Sequence, residues 1–278
     1  MSRWMSLVII LLLVFLNVGC AINPLTGEEE LMLFSQDEDL QIGRGYAPEI
    51  EKQLGGKVTD DRLSGYVDMV GQKVARVSHR PDIEYHFGVV QDKMVNAFAL
   101  PGGYVYVTAG ILQHLKTEAQ LAGILAHEVA HVVARDTMAA MSRDIGISVL
   151  LGAVQASDAP GGAVRAANLA AQILSLKYSR QDEIDADMAG MDYMVQAGYK
   201  PTAIVETMQM LQEQQKVRPI EFLSTHPNPE NRIEYLQERI AEKYSAVAVL
   251  KVGEDEYRSS VLEKLKDDKP KDKSNKPE

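Results

Sequence analysis

The run ILAHEVAHVV, Ile124 to Val133, constrains this chain more than any other stretch. Its apolar residues recur at helical spacing, yet it holds two histidines and a glutamate, groups that leave water only where something compensates. On a helix His127 and His131 lie on one face, about one turn apart, and can aim two imidazole nitrogens at one point. Glu128 is turned about 100° from His127. From there it can reach a water held at that point, but it cannot serve as a ligand with the same geometry. A pair of satisfied core histidines is a poor explanation, because Leu125, Val129, Val132 and Val133 already give this helix a buried surface.

The remainder of the chain has room to supply partners. Its 278 residues, 46% hydrophobic and 24% charged, have an ordinary globular composition sufficient for one or two domains. A net charge of −10 with no basic patch argues against nucleic acid as the main partner. Residues 1–19 read as an export signal: Arg3, then the apolar run Leu7 to Leu16, which is too short for a comfortable membrane span. Cys20 is the only cysteine, so no intramolecular disulfide can form. Its place directly after this segment and Gly19 is similar to the lipidated cysteine of bacterial lipoproteins, although Asn17 stands where that pattern usually has leucine. Lipidation at Cys20 would tie an exported chain to the membrane, on the periplasmic side of the envelope, as an outer-membrane lipoprotein. Lys264 to Glu278 alternates charge around a single leucine and cannot offset its ordering entropy by burial. Residues 266–278 are therefore expected to be a disordered tail, leaving 20–265 as the folded domain.

The pattern in that domain predicts an α+β fold, mostly helical. Ser35 to Leu54 and Asp60 to Val77 carry helical periodicity, the second opening on the N-cap cluster TDD. EYHFGVVQ, VNAFAL and YVYVT, broken by Asp92-Lys93 and Pro101-Gly102-Gly103, predict a small mixed sheet of about three strands packed on the histidine helix. Helical patterns follow at Glu118 to Arg135, Thr137 to Ala156, Ala163 to Ser175, Arg180 to Ala197, Pro201 to Gln215 and Pro229 to Ser245. Pro201 suits a first helical position.

Two neutral imidazoles flanking a general base form the His-Glu-x-x-His arrangement of zinc metallopeptidases. Catalytic zinc usually takes three protein ligands and leaves the fourth position to water. The next histidine after His131 is His226, which excludes the extended histidine-rich motif of the metzincins. SRQDEIDADMAG offers Glu183 and Asp187, four apart on one helical face and far enough downstream for a hairpin of helices to return to the site. Glu183 is the expected third ligand. Asp187, one turn on, can accept the other N–H of a ligand histidine. Asp182 and Asp185 face elsewhere and are expected in solvent.

NAFALPGGYVYVTAGIL, LAHEVAHVVARD, SRQDEIDADMAG and STHPNPENRIEYL, in this order, resemble the M48 metallopeptidases, whose exported bacterial members are often lipoproteins. NPLTGEEELMLFS is similar to the segment after the lipidated cysteine in those members, so the likeness covers nearly all of Asn23 to Leu236. The resemblance implies a gluzincin-type fold with one zinc ion per chain, held by His127, His131 and Glu183, with Glu128 as base and Asp187 supporting a ligand. Periplasmic relatives known for both proteolysis and chaperoning carry a C-terminal tetratricopeptide domain, in place of which this chain has its charged tail.

These readings imply an endopeptidase acting on unfolded or damaged envelope proteins. YVYVT is a candidate open edge that would hold substrate extended by backbone pairing, a mode that reads little sequence. The rival reading is an envelope holdase or scaffold with a structural zinc site, against which stand the three-ligand set and a base with no use there. His226 lies between prolines in STHPNPENR, a turn by local sequence. The resemblance puts this stretch beside the zinc, where a protonated His226 would stabilise an oxyanion and a neutral one would fill the fourth position. The second role, a latent resting form, is the expectation.

Overall fold

In the computed structural model, residues 19–150, 162–227, 231–247 and 250–267 are described. All of the expected export signal but Gly19, and most of the expected tail, lie outside them. A two-stranded hairpin opens the chain, β1 (Cys20–Ile22) antiparallel to β2 (Glu29–Leu31). Helix α1 (Gln36–Gln53) begins on a capping box, with the Ser35 side chain bonding the Glu38 N–H and Glu38 returning the bond to the Ser35 backbone. Helix α2 (Asp61–Ala75) begins on Asp60, whose carboxylate accepts from the N–H groups of Arg62 and Leu63.

Strands β3 (His86–Val90), β4 (Ala97–Leu100) and β5 (Tyr104–Thr108) form the three-stranded sheet in the order β3-β5-β4, parallel on one side and antiparallel on the other. The sheet is mixed, as expected, but its order corrects one reading. Tyr104–Thr108, expected at an open edge, is the central strand, paired on both sides. A strand's β-branched and aromatic residues fit any well-covered position, so they carry no information on which neighbours it acquires. The edge near the histidine helix is β4, which shares with it a wide contact.

A short helix α3 (Ala109–Leu112) leads to α4 (Glu118–Ala134), capped by the Thr117 hydroxyl and buried at all 17 of its residues. Being covered on every side explains why its apolar residues do not keep to one stripe. It packs on α2, β4 and two later helices, α7 (Arg180–Gln196) and α8 (Thr202–Val217), which makes it the centre of the core. Between them run α5 (Asp136–Leu150) and α6 (Gly162–Ser175). Pro201 sits one place before the first residue of α8, as its cap, not inside it. After the single turn α9 (Glu221–Thr225) comes α10 (Arg232–Lys243).

The chain then returns across the start of α4. Glu118 N–H donates to Gly253 O at 3.1 Å and Ala119 N–H to Val252 O at 3.0 Å. A last helix, α11 (Glu254–Tyr257), continues through a wider turn at Arg258–Leu262 into α12 (Glu263–Asp267). Leu265 is buried there, so the charged C-terminal stretch is helical as far as Asp267, the one leucine it contains being sufficient to seat it. Among the described residues no helix is long and apolar enough to cross a membrane.

Candidate metal centre

Two helices build the site. On α4, His127 and His131 point to one place, and α7 crosses that helix at close range, where a Cβ on Gly190 would stand only 3.0 Å from the His127 backbone nitrogen. A glycine at that crossing lets the helices approach closely enough for Asp187 and Glu183, one and two turns upstream on α7, to reach the histidines. His226 caps the end of α9, its N–H bonded to Phe222 O at 2.9 Å and its ring stacked on Phe222 with centroids 4.4 Å apart.

Four potential donors meet here: His127, His131, Glu183 and His226, all fully buried. His127 Nε2 lies 3.1 Å from His131 Nε2 and 3.3 Å from His226 Nδ1. Glu183 Oε1 is 2.9 Å from His226 Nδ1 and 3.6 Å from His131 Nε2. Ligand atoms arranged tetrahedrally about 2 Å from a zinc ion are about 3.3 Å from each other, and the observed separations scatter around that value. Lone pairs that face each other at this range without water repel unless a cation or proton lies between them. The residues therefore fit a metal ion.

The outward nitrogens fix which lone pairs face inward. His131 Nδ1 is 2.6 Å from Asp136 Oδ2. A carboxylate can only accept, so Nδ1 carries the hydrogen and Nε2 is left as a donor to metal. His127 Nδ1 lies 3.0 Å from Asp187 Oδ1, close though not aligned for a full hydrogen bond. Asp187 is held in turn by Arg232, whose Nη2 donates to Oδ1 at 2.6 Å, and by the Tyr235 hydroxyl on Oδ2. The His131 ring stacks on Tyr178, centroids 4.0 Å apart.

Electrostatics follow from this enclosure. Burial works to raise the Glu183 carboxyl, but His226, His127 and His131 outweigh it and hold it well below the ordinary carboxylate range. Burial likewise opposes ionisation of Asp187, and the Arg232 charge overcomes it. Burial pushes the His226 imidazole down, toward the neutral form. Glu128 differs from all of these. Both its carboxylate oxygens are buried without a hydrogen-bond partner among the described residues, and the His226 Nε2 atom is 3.6 Å from Oε1.

The structure thus brings His127, Glu128, His131, Glu183, Asp187 and His226 together. Asp182, expected in solvent, closes a capping box with Ser179 at the start of α7 and receives Arg143 Nη2 at 3.1 Å. Cys20 is exposed on β1, at the opposite end of the chain's order from the donors. Four further residues meet the site without a signal in the sequence: Asp136, Tyr178, Arg232 and Tyr235. Asp136 reaches His131 because Arg135 ends α4 in the left-handed region, φ 63°, and no residue spacing advertises that reversal. Arg232 and Tyr235 stand in NPENRIEYL, and only their burial beside Asp187 gives them meaning.

An α+β fold with a His-Glu-x-x-His helix, and a glutamate brought to it from a later helix, defines the gluzincin class of metallopeptidase. Within that class, residues 61–240 match peptidase family M48, and the chain belongs to this family. Mitochondrial metalloendopeptidase OMA1 of Schizosaccharomyces pombe is 35% identical over 214 residues, covering 74% of this chain and 63% of its own length. The beta-barrel assembly-enhancing protease of Escherichia coli K12 is 29% identical over 210 residues, covering 70% of this chain and 42% of its own length. That of Yersinia pestis is 28% identical over 210 residues, with 72% and 43% covered. The chain therefore spans between 42% and 63% of the length of these relatives.

Proposed function

We propose that the chain is a zinc-dependent endopeptidase of the cell envelope, latent at rest, that hydrolyses unfolded or misassembled proteins. The observation that carries this reading is the pairing of a convergent buried donor set with a neighbouring glutamate that has no partner of its own. His127, His131 and Glu183 would hold the metal. Zinc in that place would polarise a scissile carbonyl and lower the pKa of a water toward about 7. Glu128 takes the proton from the attacking water and returns it to the leaving amine. Asp136 keeps His131 in the tautomer that faces inward, and Asp187, 3.0 Å from His127 Nδ1, favours the same for His127.

Substrate would lie along β4. Thr108 N–H bonds Asn96 O at 3.1 Å, so Asn96, Phe98 and Leu100 turn their backbone groups toward β5 while Ala97 and Ala99 turn theirs outward. Among the described residues no backbone hydrogen bond occupies that outer edge at Ala97 and Ala99, whereas Val95 O is already taken by Phe222 N–H; both alanines are buried, so substrate would have to displace what covers them. An edge that pairs with backbone suits extended, unfolded chains. The names of the relatives, a beta-barrel assembly-enhancing protease and a mitochondrial metalloendopeptidase, support membrane-associated protein quality control. An anchor at lipidated Cys20 would keep the activity at the envelope, and Cys20→Ser should then release the protein from the membrane fraction. Unchanged fractionation would assign the anchoring to Leu7–Leu16 or to another contact.

His226 supports latency, since its Nδ1 stands among the donors where a water would be needed. The same fact favours a second reading, because a fourth protein ligand is what a structural zinc site usually has. Against it stands Glu128, whose buried and unpartnered carboxylate a structural site would not require. Casein cleavage by the signal-less protein, with and without chelator, separates the two. We expect metal-dependent cleavage that His226→Ala raises. A loss of roughly 10²–10³-fold in His226→Ala with zinc retained would make it an oxyanion donor and refute latency. No metal-dependent cleavage in either protein would favour the structural site.

A further inference from the structure

Among the described residues Arg232 is the largest fully buried side chain. A guanidinium is seldom placed out of water without a purpose, and this one has two carboxylates before it. Its Nη2 donates to Asp187 Oδ1 at 2.6 Å, and its Nη1 is 3.3 Å from Glu183 Oε2, an ion pair not aligned for a hydrogen bond. Asp187 Oδ1 is also the oxygen 3.0 Å from His127 Nδ1. We infer that Arg232 is the positioning residue of the metal centre, setting Glu183 directly and His127 through Asp187 with one planar fork. The inference rests on the reading of Glu183 and His127 as metal ligands given above.

Glu183 and Asp187 are one turn apart on α7, and a fixed fork of donors can span two such carboxylates, whereas a compact ammonium cannot. Arg232 draws Oε2 by charge, without a full hydrogen bond, to a place also 3.4 Å from His127 Nε2, and Oε1 is the oxygen turned toward His131 and His226. Arg232 is the first residue of α10 and follows His226 after a short connection opened by Pro227. Both ends of that connection face the same carboxylate, His226 hydrogen-bonded at Oε1 and Arg232 paired by charge with Oε2. One end can therefore let go while the other keeps Glu183 in place. Activation by release of His226 would not cost the enzyme its metal.

The test uses cobalt(II) as the probe, titrated into the metal-free chain and read by its d–d absorption, with zinc affinity taken from competition with a chelator. Arg232→Gln leaves Asp187 buried without a counter-charge and can unfold the chain, so Arg232→Lys, which keeps the charge and loses the fork, carries the decision. We expect Arg232→Lys to bind zinc roughly 10- to 100-fold more weakly, as changes behind metal ligands do, and to give a cobalt spectrum different from wild type. His226→Ala, by contrast, should keep zinc within about tenfold of wild type, since the remaining three ligands make a complete catalytic set. A spectrum and affinity for Arg232→Lys equal to wild type would overturn the inference, as would metal loss in His226→Ala as large as in Arg232→Lys. Failure of the ligand reading looks different: wild type would take up no cobalt, or Glu183→Ala would bind it as well as wild type.

Discussion

Helix α4 carries two fully buried glutamates, Glu118 at its start and Glu128 at its centre. Glu118 is saturated. Oε1 accepts from Tyr199 at 2.7 Å, Oε2 from Tyr66 at 2.7 Å, and Lys251 donates to both at 2.9 and 2.8 Å. Those partners come from α2, from the turn after α7 and from the returning C-terminal segment, so one carboxylate ties three parts of the chain to the start of the helix. Glu128 has nothing within hydrogen-bond reach among the described residues. A buried polar group with all its bonds made is architecture, and one left without them costs free energy that folding alone cannot justify. The contrast separates a residue kept for stability from one kept for chemistry, within one helix and at equal burial.

The largest expected effect falls on turnover. Glu128→Gln should slow metal-dependent cleavage by about 10²–10⁴-fold, the usual worth of a positioned proton acceptor. Glu118→Gln should leave turnover per folded molecule within about tenfold of wild type, and an equal loss in both would erase the distinction. Stability should show the reverse. Glu118→Gln removes the charge that Lys251 and two tyrosines were arranged around, at a cost of about 1–3 kcal/mol. In a domain of this size that lowers the melting temperature by about 2–4 °C per kcal/mol, readable by circular dichroism.

Asp187 tests the boundary between the two kinds, being saturated like Glu118 yet placed behind a ligand. Asp187→Ala should weaken zinc binding by roughly 10- to 100-fold, measured by chelator competition. An effect on melting alone would move it to the architectural group. The smallest effect is a pH dependence. Burial opposes ionisation of Glu118, but the bonds from Lys251, Tyr66 and Tyr199 prevail and hold its pKa below the ordinary value. A depressed folded-state pKa means the contribution is complete above the unfolded value, about 4.3, and is lost as pH falls through the folded one. The stability gap between wild type and Glu118→Gln should stay constant from neutrality to about pH 5 and narrow below about pH 4.

How much of this was legible depends on range along the chain. His127, Glu128 and His131 declare themselves because helical geometry turns a spacing of four into a shared face. Glu183 and Asp187 were reachable by the same rule applied to a second helix. The three strands could be read from their β-branched and aromatic residues, but their order could not, which is why Tyr104–Thr108 was expected at an edge and lies at the centre. The hairpin β1–β2 left no signal, its strands being three residues long and largely exposed. Glu118 and Arg232 look like ordinary charged residues of helix ends, where such groups are usually solvated. Their burial is imposed by segments far away in sequence, Lys251 for one and Asp187 for the other. Local pattern carries no trace of those encounters.

The central claim is that Glu128 is held against stability for the sake of chemistry, and the melting temperature of the metal-free Glu128→Gln protein tests it most directly. An amide of the same shape removes a buried, unpartnered carboxylate. The variant should melt at or above the temperature of metal-free wild type, and should still take up zinc. A melting temperature lowered as far as that of Glu118→Gln would show that Glu128 supports the fold, and the distinction between the two glutamates would fail.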